Sequence, residues 1–380
     1  MSYLRKKING LPVPKEYKVK SLSDYIKLFS DGNFDNCIFR GEPTNYGDII
    51  SSAFRNYSNT FVNPKKEYPF IKMKEEFKRE IFHKINQDER INFLAFAQHH
   101  GIPTNLVDFT RTPLVALYFA CQPYKSNDTH LLQEGFDENK GFVHILENKL
   151  IDITDVITKN EDKNILKLIA SNEYDILVDI YGCFAKYETK HPLEFYEYFK
   201  QLYDDYFYYF INNSIDTQKK SNFPDYSEGD YKFKLFDIYE YIESDDSKLI
   251  NSKIEKVYGG DTLGILEYFI LLRKFLNNIV DYTEPIWWLN CIPNFTYSPI
   301  LSFERGRNQQ GLFIYQAFLS FTEKVYDTPV LAQQRIWPDK TIIIENKEKI
   351  LAELDFIGIN QKFIYGDYDN IANYIKNKYK

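Results

Sequence analysis

The fold of this chain is organised around eleven residues, Gln98-His99-His100-Gly101-Ile102-Pro103-Thr104-Asn105-Leu106-Val107-Asp108. Two adjacent histidines, from a total of six, stand here beside a glycine, a Pro-Thr turn and an aspartate. Histidine titrates near neutral pH and can donate, accept or bind a metal, while Gly and Pro set special backbone shapes. An apolar helical pattern follows at once, from Pro113 to Ala120. The stretch therefore predicts a polar loop held against a buried helix, which is a common way to build a site.

The composition predicts a globular protein and argues against several classes of function. Among its 380 residues, 44% are hydrophobic and 27% charged, and the formal net charge is −7. A generic nucleic-acid binder is expected to be basic, so non-specific DNA binding is not expected. No apolar run reaches the ~18 residues of a membrane span, and the charged start, Met1 to Lys7, resembles no signal peptide. Four scattered cysteines predict reduced thiols in a cytoplasmic protein.

Hydrophobic periodicity predicts an α+β fold: a mixed sheet core with surrounding helices and a mostly helical insertion. The predicted strands cover residues 36–40, 141–146, 299–303, 311–315 and 341–344. The predicted helices cover residues 21–29, 66–86, 88–99, a segment from Pro113, 194–210, 230–243, 262–280, 346–356 and 368–378. The predicted organisation is an N-terminal extension that wraps loosely (1–20), a first core part (21–149), a helical insertion (150–285) and a second core part (286–380).

Several short motifs, taken in order, resemble a bacterial family called the FRG domain after its Phe-Arg-Gly tripeptide. They are Phe39-Arg40-Gly41, the stretch from Gln98 to Asp108, the block from Arg305 to Phe313, and Leu354 to Asn360. The matching segments cover roughly residues 20–145 and 293–380. Two positions depart from the family pattern. Asn105 stands where the family usually has Arg, which would remove a ligand contact if that Arg grips a phosphate, and Phe109 stands where it usually has Trp.

The candidate site residues come from these motifs. The predicted catalytic residues are His99, His100 and Asp108, and the predicted ligand-binding residues are Arg40, Gln98, Thr104, Tyr118, Arg305 and Gln309. An Arg at a strand end can hold a phosphate or carboxylate bidentately, or it can form a buried ion pair with Asp108 or Glu42. Adjacent histidines on a helix point about 100° apart, so one of them is expected to be structural. No metal site is predicted, because the histidines lack ligand spacing and have no cysteine nearby.

The remaining alternatives are structural ones. Asp108 could instead cap the helix that follows it, and Tyr118 could be a core residue. Arg305 and Gln309 could belong to a bulge with capped backbone groups. All of these residues are nonetheless expected within one neighbourhood, with the Arg305 block no more than ~15 Å from Arg40.

Three functions remain open. The resemblance implies an ADP-ribosyltransferase-like enzyme that uses NAD as substrate, in a toxin or phage-defence setting, with no certain cofactor. Phe39-Arg40-Gly41 resembles the NAD-binding strand of such enzymes and Leu117 to Ala120 a segment near their nicotinamide pocket, although no catalytic carboxylate is assigned. The alternative is a module that binds a small nucleotide or a protein partner without turnover, with residues 150–285 as the partner surface. A nuclease-like effector is the third reading, and it rests only on Asp108 with Glu42 as Mg²⁺ ligands.

Overall fold

The computed structural model describes residues 13–30, 34, 36–55, 69–124, 139–147, 150–160, 163–206, 252, 256–257, 263–278, 291–300, 304–323 and 328–379. These residues form an eight-stranded mixed sheet in the order β1-β10-β4-β2-β3-β7-β6-β5, and a two-stranded hairpin of β8 and β9. Helices surround the large sheet, so the predicted α+β class is confirmed.

Within the described residues, strands and helices occur in mixed order, with a run of helices between β5 and β6 and another after β10. The strands are β1 (Lys15–Val19), β2 (Ile38–Glu42), β3 (Leu106–Thr110), β4 (Gly141–Leu146), β5 (Leu150–Asp152), β6 (Asn294–Tyr297), β7 (Gly311–Tyr315), β8 (Phe318–Glu323), β9 (Thr328–Gln333) and β10 (Lys340–Ile344). Within the large sheet, β1 with β10 and β5 with β6 are parallel, and the other neighbours are antiparallel.

Fourteen helices lie within the described residues. They are α1 (Leu22–Phe29), α2 (Pro69–Ile81), α3 (Gln87–Ile91), α4 (Phe93–His99), α5 (Pro113–Ala120), α6 (Thr154–Lys159), α7 (Ile165–Ala170), α8 (Tyr174–Lys190), α9 (Pro192–Tyr206), α10 (Leu263–Asn278), α11 (Glu304–Asn308), α12 (Lys347–Phe356), α13 (Gln361–Tyr365) and α14 (Tyr368–Lys378). The sequence offers Ser21 or Ser23 as the cap of α1, and the structure has Ser21, whose side chain accepts from the backbone N–H of Asp24.

The sequence prediction is wrong at two strands, of which β3 lines the candidate site and β1 lies at the edge of the sheet. The stretch Leu106–Thr110, interpreted as a loop, is β3, and it pairs with β7 in a five-residue antiparallel register. Lys15–Val19, interpreted as loosely wrapped chain, is the edge strand β1. Both strands have five residues; β3 carries an aspartate at its centre and β1 carries three charged residues, so pairing with a distant partner decides their conformation.

Other segments differ in their limits. The helix predicted over 88–99 is two helices, because Asn92 ends α3 and begins α4. The strand Asn294–Tyr297 was not predicted; of the strand predicted over 299–303, residues 299 and 300 are not in a strand and 301–303 fall outside the described residues. The helix predicted over 230–243 and the end of the one predicted over 194–210 fall outside them too.

The region from residue 150 onward is mostly helical where it is described, but it also supplies β5, an edge strand of the large sheet. Its helices share one hydrophobic core with that sheet. Side chains such as Phe184 on α8 and Tyr268 on α10 pack in the same cluster as Phe295 on β6 and Tyr315 on β7. That residues 150–285 form a separable insertion with these boundaries remains a prediction.

One carboxyl group, that of Glu267, is buried in this core without a hydrogen bond or an ion pair among the described residues. Glu267 on α10 is 1% exposed, and neither of its carboxylate oxygens has a hydrogen-bond partner among the residues that the structure describes. Burial raises the pKa of Glu267 from 4.5 to about 9, so the group is neutral in the folded protein near pH 7. Between these two values the unfolded chain loses this proton while the folded chain keeps it, so the contribution of Glu267 to stability falls as the pH rises.

Glu267→Gln is therefore expected to stabilise the protein more at pH 8 than at pH 5. The amide does not titrate, so the gain in unfolding free energy should grow by up to ~1.4 kcal/mol per pH unit. Urea denaturation at a series of pH values measures this slope. Glu197→Gln, at an exposed position of α9, is the matched control and should show no such trend. An equal effect of Glu267→Gln at both pH values would mean that Glu267 is ionised in the folded state.

Candidate functional site

The position of Gly41 in the Phe-Arg-Gly tripeptide requires a residue without a side chain, because the backbone of a helix packs directly against it. Phe39 and Gly41 point toward α5, where Phe39 packs among the apolar side chains of that helix and of β4 and β10. A Cβ added at Gly41 would lie 1.9 Å from the carbonyl oxygen of Ala116 and 2.8 Å from the backbone nitrogen of Ala120. Gly141 on the neighbouring strand is similar, with the Ala120 carbonyl oxygen at 2.1 Å. The two glycines let α5 approach the sheet closely.

Arg40 lies on the opposite face of β2 and makes two defined contacts. Its Nε donates to Oε1 of Glu42 at 2.8 Å, and its Nη1 donates to the backbone oxygen of Asp108 at 3.0 Å. The side chain is 15% exposed. The remaining N–H groups of the guanidinium, including those of Nη2, have no partner among the described residues. A charged group with several free donors at the surface of a cleft is suited to an anion.

The contact between Arg40 and Asp108 arises because β2 and β3 separate. Within the described residues, their register contains one pair, Phe39 with Thr110. Beyond it the backbone oxygen of Asp108 accepts from Arg40 instead of from β2. A cleft of about 170 Å³ opens beside this point. It is lined by Arg40, Ile50, Ser51, Ser52, Arg55, Gln98, Gly101, Ile102, Leu106, Val107 and Asp108.

Asp108 presents an exposed carboxylate to this cleft and is held by the helix that precedes it. Its Oδ1 accepts a hydrogen bond from Nε2 of Gln98 at 3.0 Å. The hydroxyl of Thr104 in turn donates to Oε1 of Gln98, and the same hydroxyl accepts from the backbone nitrogen of Leu106 at 3.2 Å. Gln98 thus holds the carboxylate of Asp108, and Thr104 holds the amide of Gln98.

The segment before Arg55 adds polar groups that sequence reasoning missed. Ser51 is 1% exposed and its hydroxyl has no hydrogen-bond partner within the described part of the chain, although its backbone N–H donates to Oε1 of Gln316 at 2.9 Å. Arg55 is exposed and lines the same cleft. A buried hydroxyl without a partner is rare in native proteins, and one explanation is that it hydrogen-bonds a ligand, an ion or a water molecule. The signal in the sequence is weak, because two serines and one arginine carry no motif of their own.

Glu42 is the buried counter-ion of Arg40. Burial alone would raise the pKa of this carboxyl, but the hydrogen bond from His144 and the charges of Arg40 and His144 lower the pKa to about 2. The second oxygen, Oε2, lies 3.2 Å from Nε2 of His144. Of the sequence alternatives for Arg40, the ion pair with Glu42 is therefore present, whereas Asp108 contacts Arg40 through its backbone oxygen.

The two adjacent histidines lie apart from these contacts. The His100 ring packs on Phe96, with centroids 4.4 Å apart, and lies 6.2 Å from Phe77. His99 is half-buried, and burial together with the charges of His100 and Arg305 lowers its pKa. The two rings meet edge to face at 5.0 Å. Neither lines the cleft, and their predicted catalytic role stays a prediction.

The third motif forms a second cluster around Tyr365. The Arg305 guanidinium lies over the Tyr365 ring at 5.0 Å, and Nε2 of Gln309 donates to the backbone oxygen of Ile364 at 3.2 Å. Tyr118 is buried, and burial followed by the charge of Tyr365 raises its pKa. The backbone oxygen of Gln309 also accepts from the hydroxyl of Thr110 at 2.6 Å. These contacts attach α11 and α13 to the end of β3.

The structure thus brings the predicted site residues into two clusters. Arg40, Gln98 and Asp108 line the cleft and Thr104 supports Gln98, while Tyr118, Arg305 and Gln309 lie around the end of α13 at Ile364 and Tyr365. His99, beside Gln98 in the chain, is close enough to Arg305 to sense its charge. These contacts do not identify a ligand for either cluster. That all of these residues form one site therefore remains a prediction.

Two classes of site are not found in the part of the chain that the structure describes. No group of three or more His, Cys, Asp or Glu side chains there is arranged to hold a metal ion. Among the same residues, no helix has the length and hydrophobicity needed to cross a membrane.

Comparison with protein families supports the first two of the four motifs. The model of the FRG domain matches residues 35–129. This chain contains an FRG domain. The matched range holds β2, β3, α4 and α5, and with them Arg40, the cleft and the stretch from Gln98 to Asp108. Arg305 and Gln309 lie outside it. A search of curated proteins gives no match, and neither does a search of solved structures.

Proposed function

We propose that the cleft between β2 and β3 of the FRG domain binds the phosphate of a nucleotide ligand. The observation that carries this proposal is the meeting of two arginines and a buried, unsatisfied Ser51 hydroxyl in one cleft. Arg40 keeps free guanidinium donors there, and Arg55 adds a second positive charge. Charge-assisted hydrogen bonds of this kind are stronger than neutral ones.

The size of the cleft limits how much of the ligand it encloses. Small-molecule pockets usually measure ~300–1,000 Å³, whereas this cleft measures about 170 Å³. It therefore accommodates one phosphate group, and the rest of a nucleotide would lie over its rim. The resemblance of Phe39-Arg40-Gly41 to an NAD-binding strand makes NAD the first nucleotide to test.

A second candidate function is ADP-ribosyl transfer from NAD, favoured by the carboxylate of Asp108 beside Arg40. In this reaction the bond between nicotinamide and ribose breaks, nicotinamide leaves with the bonding electrons, and an acceptor nucleophile bonds to the ribose carbon. Asp108 would stabilise the positive charge on the sugar or take the proton of the acceptor. Such an activity would suit a cytoplasmic toxin or antiviral effector. Without turnover, the same cleft serves a nucleotide sensor, with residues 150–285 as the surface for a protein partner.

The test combines binding with product analysis. Isothermal titration calorimetry with NAD, ADP-ribose and inorganic pyrophosphate measures affinity, and chromatography measures released nicotinamide. Binding of NAD with release of nicotinamide supports the transferase, and binding without release supports the sensor. If none of the three probes binds or shifts the melting temperature at millimolar concentration, the proposed cleft function is wrong.

Arg55→Ala provides a prediction with little risk to the fold, because the side chain is exposed. Removing one of two cations should weaken the binding of pyrophosphate about 5- to 10-fold, the scale of one partly solvated charge contact. Arg79→Ala, at an exposed position of α2, is the matched control and should bind as wild type does. Equal binding by Arg55→Ala and wild type would remove Arg55 from the site.

A further inference from the structure

A continuous chain of polar side chains crosses three neighbouring strands behind Arg40. Thr341 on β10 is paired in register with His144 on β4, and His144 is paired with Arg40 on β2. Oγ1 of Thr341 lies 3.2 Å from Nδ1 of His144, and Nε2 of His144 lies 3.2 Å from Oε2 of Glu42. The other oxygen of Glu42 accepts from Nε of Arg40 at 2.8 Å. The chain thus runs without a break from Thr341 to the guanidinium.

The burial of this chain makes its geometry rigid. Glu42 and His144 are each 2% exposed, and Thr341 is 8% exposed. A buried ionised carboxylate is costly unless both of its oxygens are satisfied. Glu42 meets this condition because His144 contacts one oxygen and Arg40 the other. The His144 ring is in turn held by Thr341 and stacks on Phe142, with centroids 6.4 Å apart.

These contacts restrict the side chain of Arg40, which has several rotatable bonds. Glu42 holds Nε, and the backbone oxygen of Asp108 holds Nη1. Two fixed points at different nitrogens determine both the position and the plane of the guanidinium. The remaining donors are therefore preorganised in the cleft before any ligand arrives, which lowers the entropic cost of binding.

We propose that Glu42 and His144 are positioning residues, which hold the Arg40 guanidinium in the orientation that receives an anionic group. This inference rests on the proposed function of the cleft, because the anionic group is the phosphate assigned there. Neither residue lines the cleft, so each acts through Arg40 and not on the ligand.

A double-mutant cycle tests the proposal with pyrophosphate as the probe. Glu42→Gln keeps the size of the side chain and can still accept from Arg40, while His144 can change its tautomer to accept from the amide. We expect this variant to bind pyrophosphate about tenfold more weakly than wild type, the scale of one charge-assisted contact. In an Arg40→Ala background, Glu42→Gln should cause no further loss, because the residue acts through Arg40. Equal losses in the two backgrounds would overturn the proposal.

Thr341→Val and His144→Phe test the other members of this series of hydrogen-bonded side chains. Thr341→Val removes one hydroxyl at nearly constant shape, and its effect on affinity should be smaller than that of Glu42→Gln. His144→Phe leaves one oxygen of Glu42 without a donor, and its effect should be larger than that of Thr341→Val. If affinity stays at the wild-type level in all three variants while only the melting temperature falls, the chain is structural and the positioning role is wrong.

A measurement without ligand separates this proposal from the function of the cleft. The Nε–H signal of Arg40 in a nitrogen–proton NMR spectrum should be resolved and slow to exchange with water in the wild type. It should exchange at least tenfold faster in Glu42→Gln and His144→Phe, because Nε then has a weaker or mobile acceptor. Slow exchange in the wild type without pyrophosphate binding would refute the cleft function alone. Unchanged exchange in both variants would refute the positioning role, whatever binds.

Discussion

Gly41→Ala is expected to prevent the domain from folding, or to lower its unfolding free energy by about 3 kcal/mol or more. The added methyl group would lie 1.9 Å from the carbonyl oxygen of Ala116, so α5 or β2 must move. β2 is a central strand between β4 and β3, and α5 packs against β2, β3 and β4 together. Neither element can shift without loss of the contacts on its other sides. Chemical denaturation of the purified variant measures the effect.

Two further variants separate this steric cause from backbone preference. Ala116→Gly in the Gly41→Ala background should give no rescue, because the clashing atom is a backbone oxygen and not the Ala116 side chain. Gly358→Ala has no atom within 4 Å of the new Cβ, but its φ is +92°, so it should cost only ~1–2 kcal/mol. If Gly41→Ala is no more destabilising than Gly358→Ala, α5 does not pack against β2 as closely as the structure has it.

Arg40→Ala is expected to produce the largest loss of ligand binding. The remaining guanidinium donors line the cleft, and losing hydrogen bonds to a charged group costs ~1.5–3 kcal/mol. The affinity for NAD or pyrophosphate should therefore fall roughly 10- to 150-fold. Arg40→Lys should recover only part of this affinity, because one ammonium group cannot contact Glu42, the Asp108 backbone and a ligand in the geometry of a guanidinium. Calorimetry on each variant measures these differences.

The same substitution also removes a partner from the buried Glu42 carboxylate, so its effect on folding must be measured separately. Circular dichroism and the melting temperature report whether Arg40→Ala is folded at the temperature of the titration. Arg79→Ala serves as the surface control here as well. Wild-type affinity in a folded Arg40→Ala variant would show that the arginine of the Phe-Arg-Gly tripeptide stabilises the fold and does not hold the ligand.

The sequence predicted those features of the site that depend on local patterns. Ser21 caps α1, Pro113 begins α5, and Phe39-Arg40 lies on a strand, as capping preferences and hydrophobic runs indicate. It left open whether Arg40 binds a ligand or pairs with Asp108 or Glu42, and the structure contains the pair with Glu42. It did not reveal β3, because Leu106–Thr110 carries an aspartate at its centre and is a strand only through its pairing with β7, some 200 residues later.

What the sequence determined by itself is therefore the α+β class, the order of most of its elements, and the family motif with its arginine. Local propensity and periodicity act within a few residues, and they are sufficient for these features. Which polar groups meet depends on the packing of the folded chain. His144 and Thr341 approach Glu42 because β10, β4 and β2 are neighbours, and Arg40 reaches Asp108 because β2 and β3 separate. Those contacts depend on strand order and register, which join residues far apart in the chain and leave no local pattern.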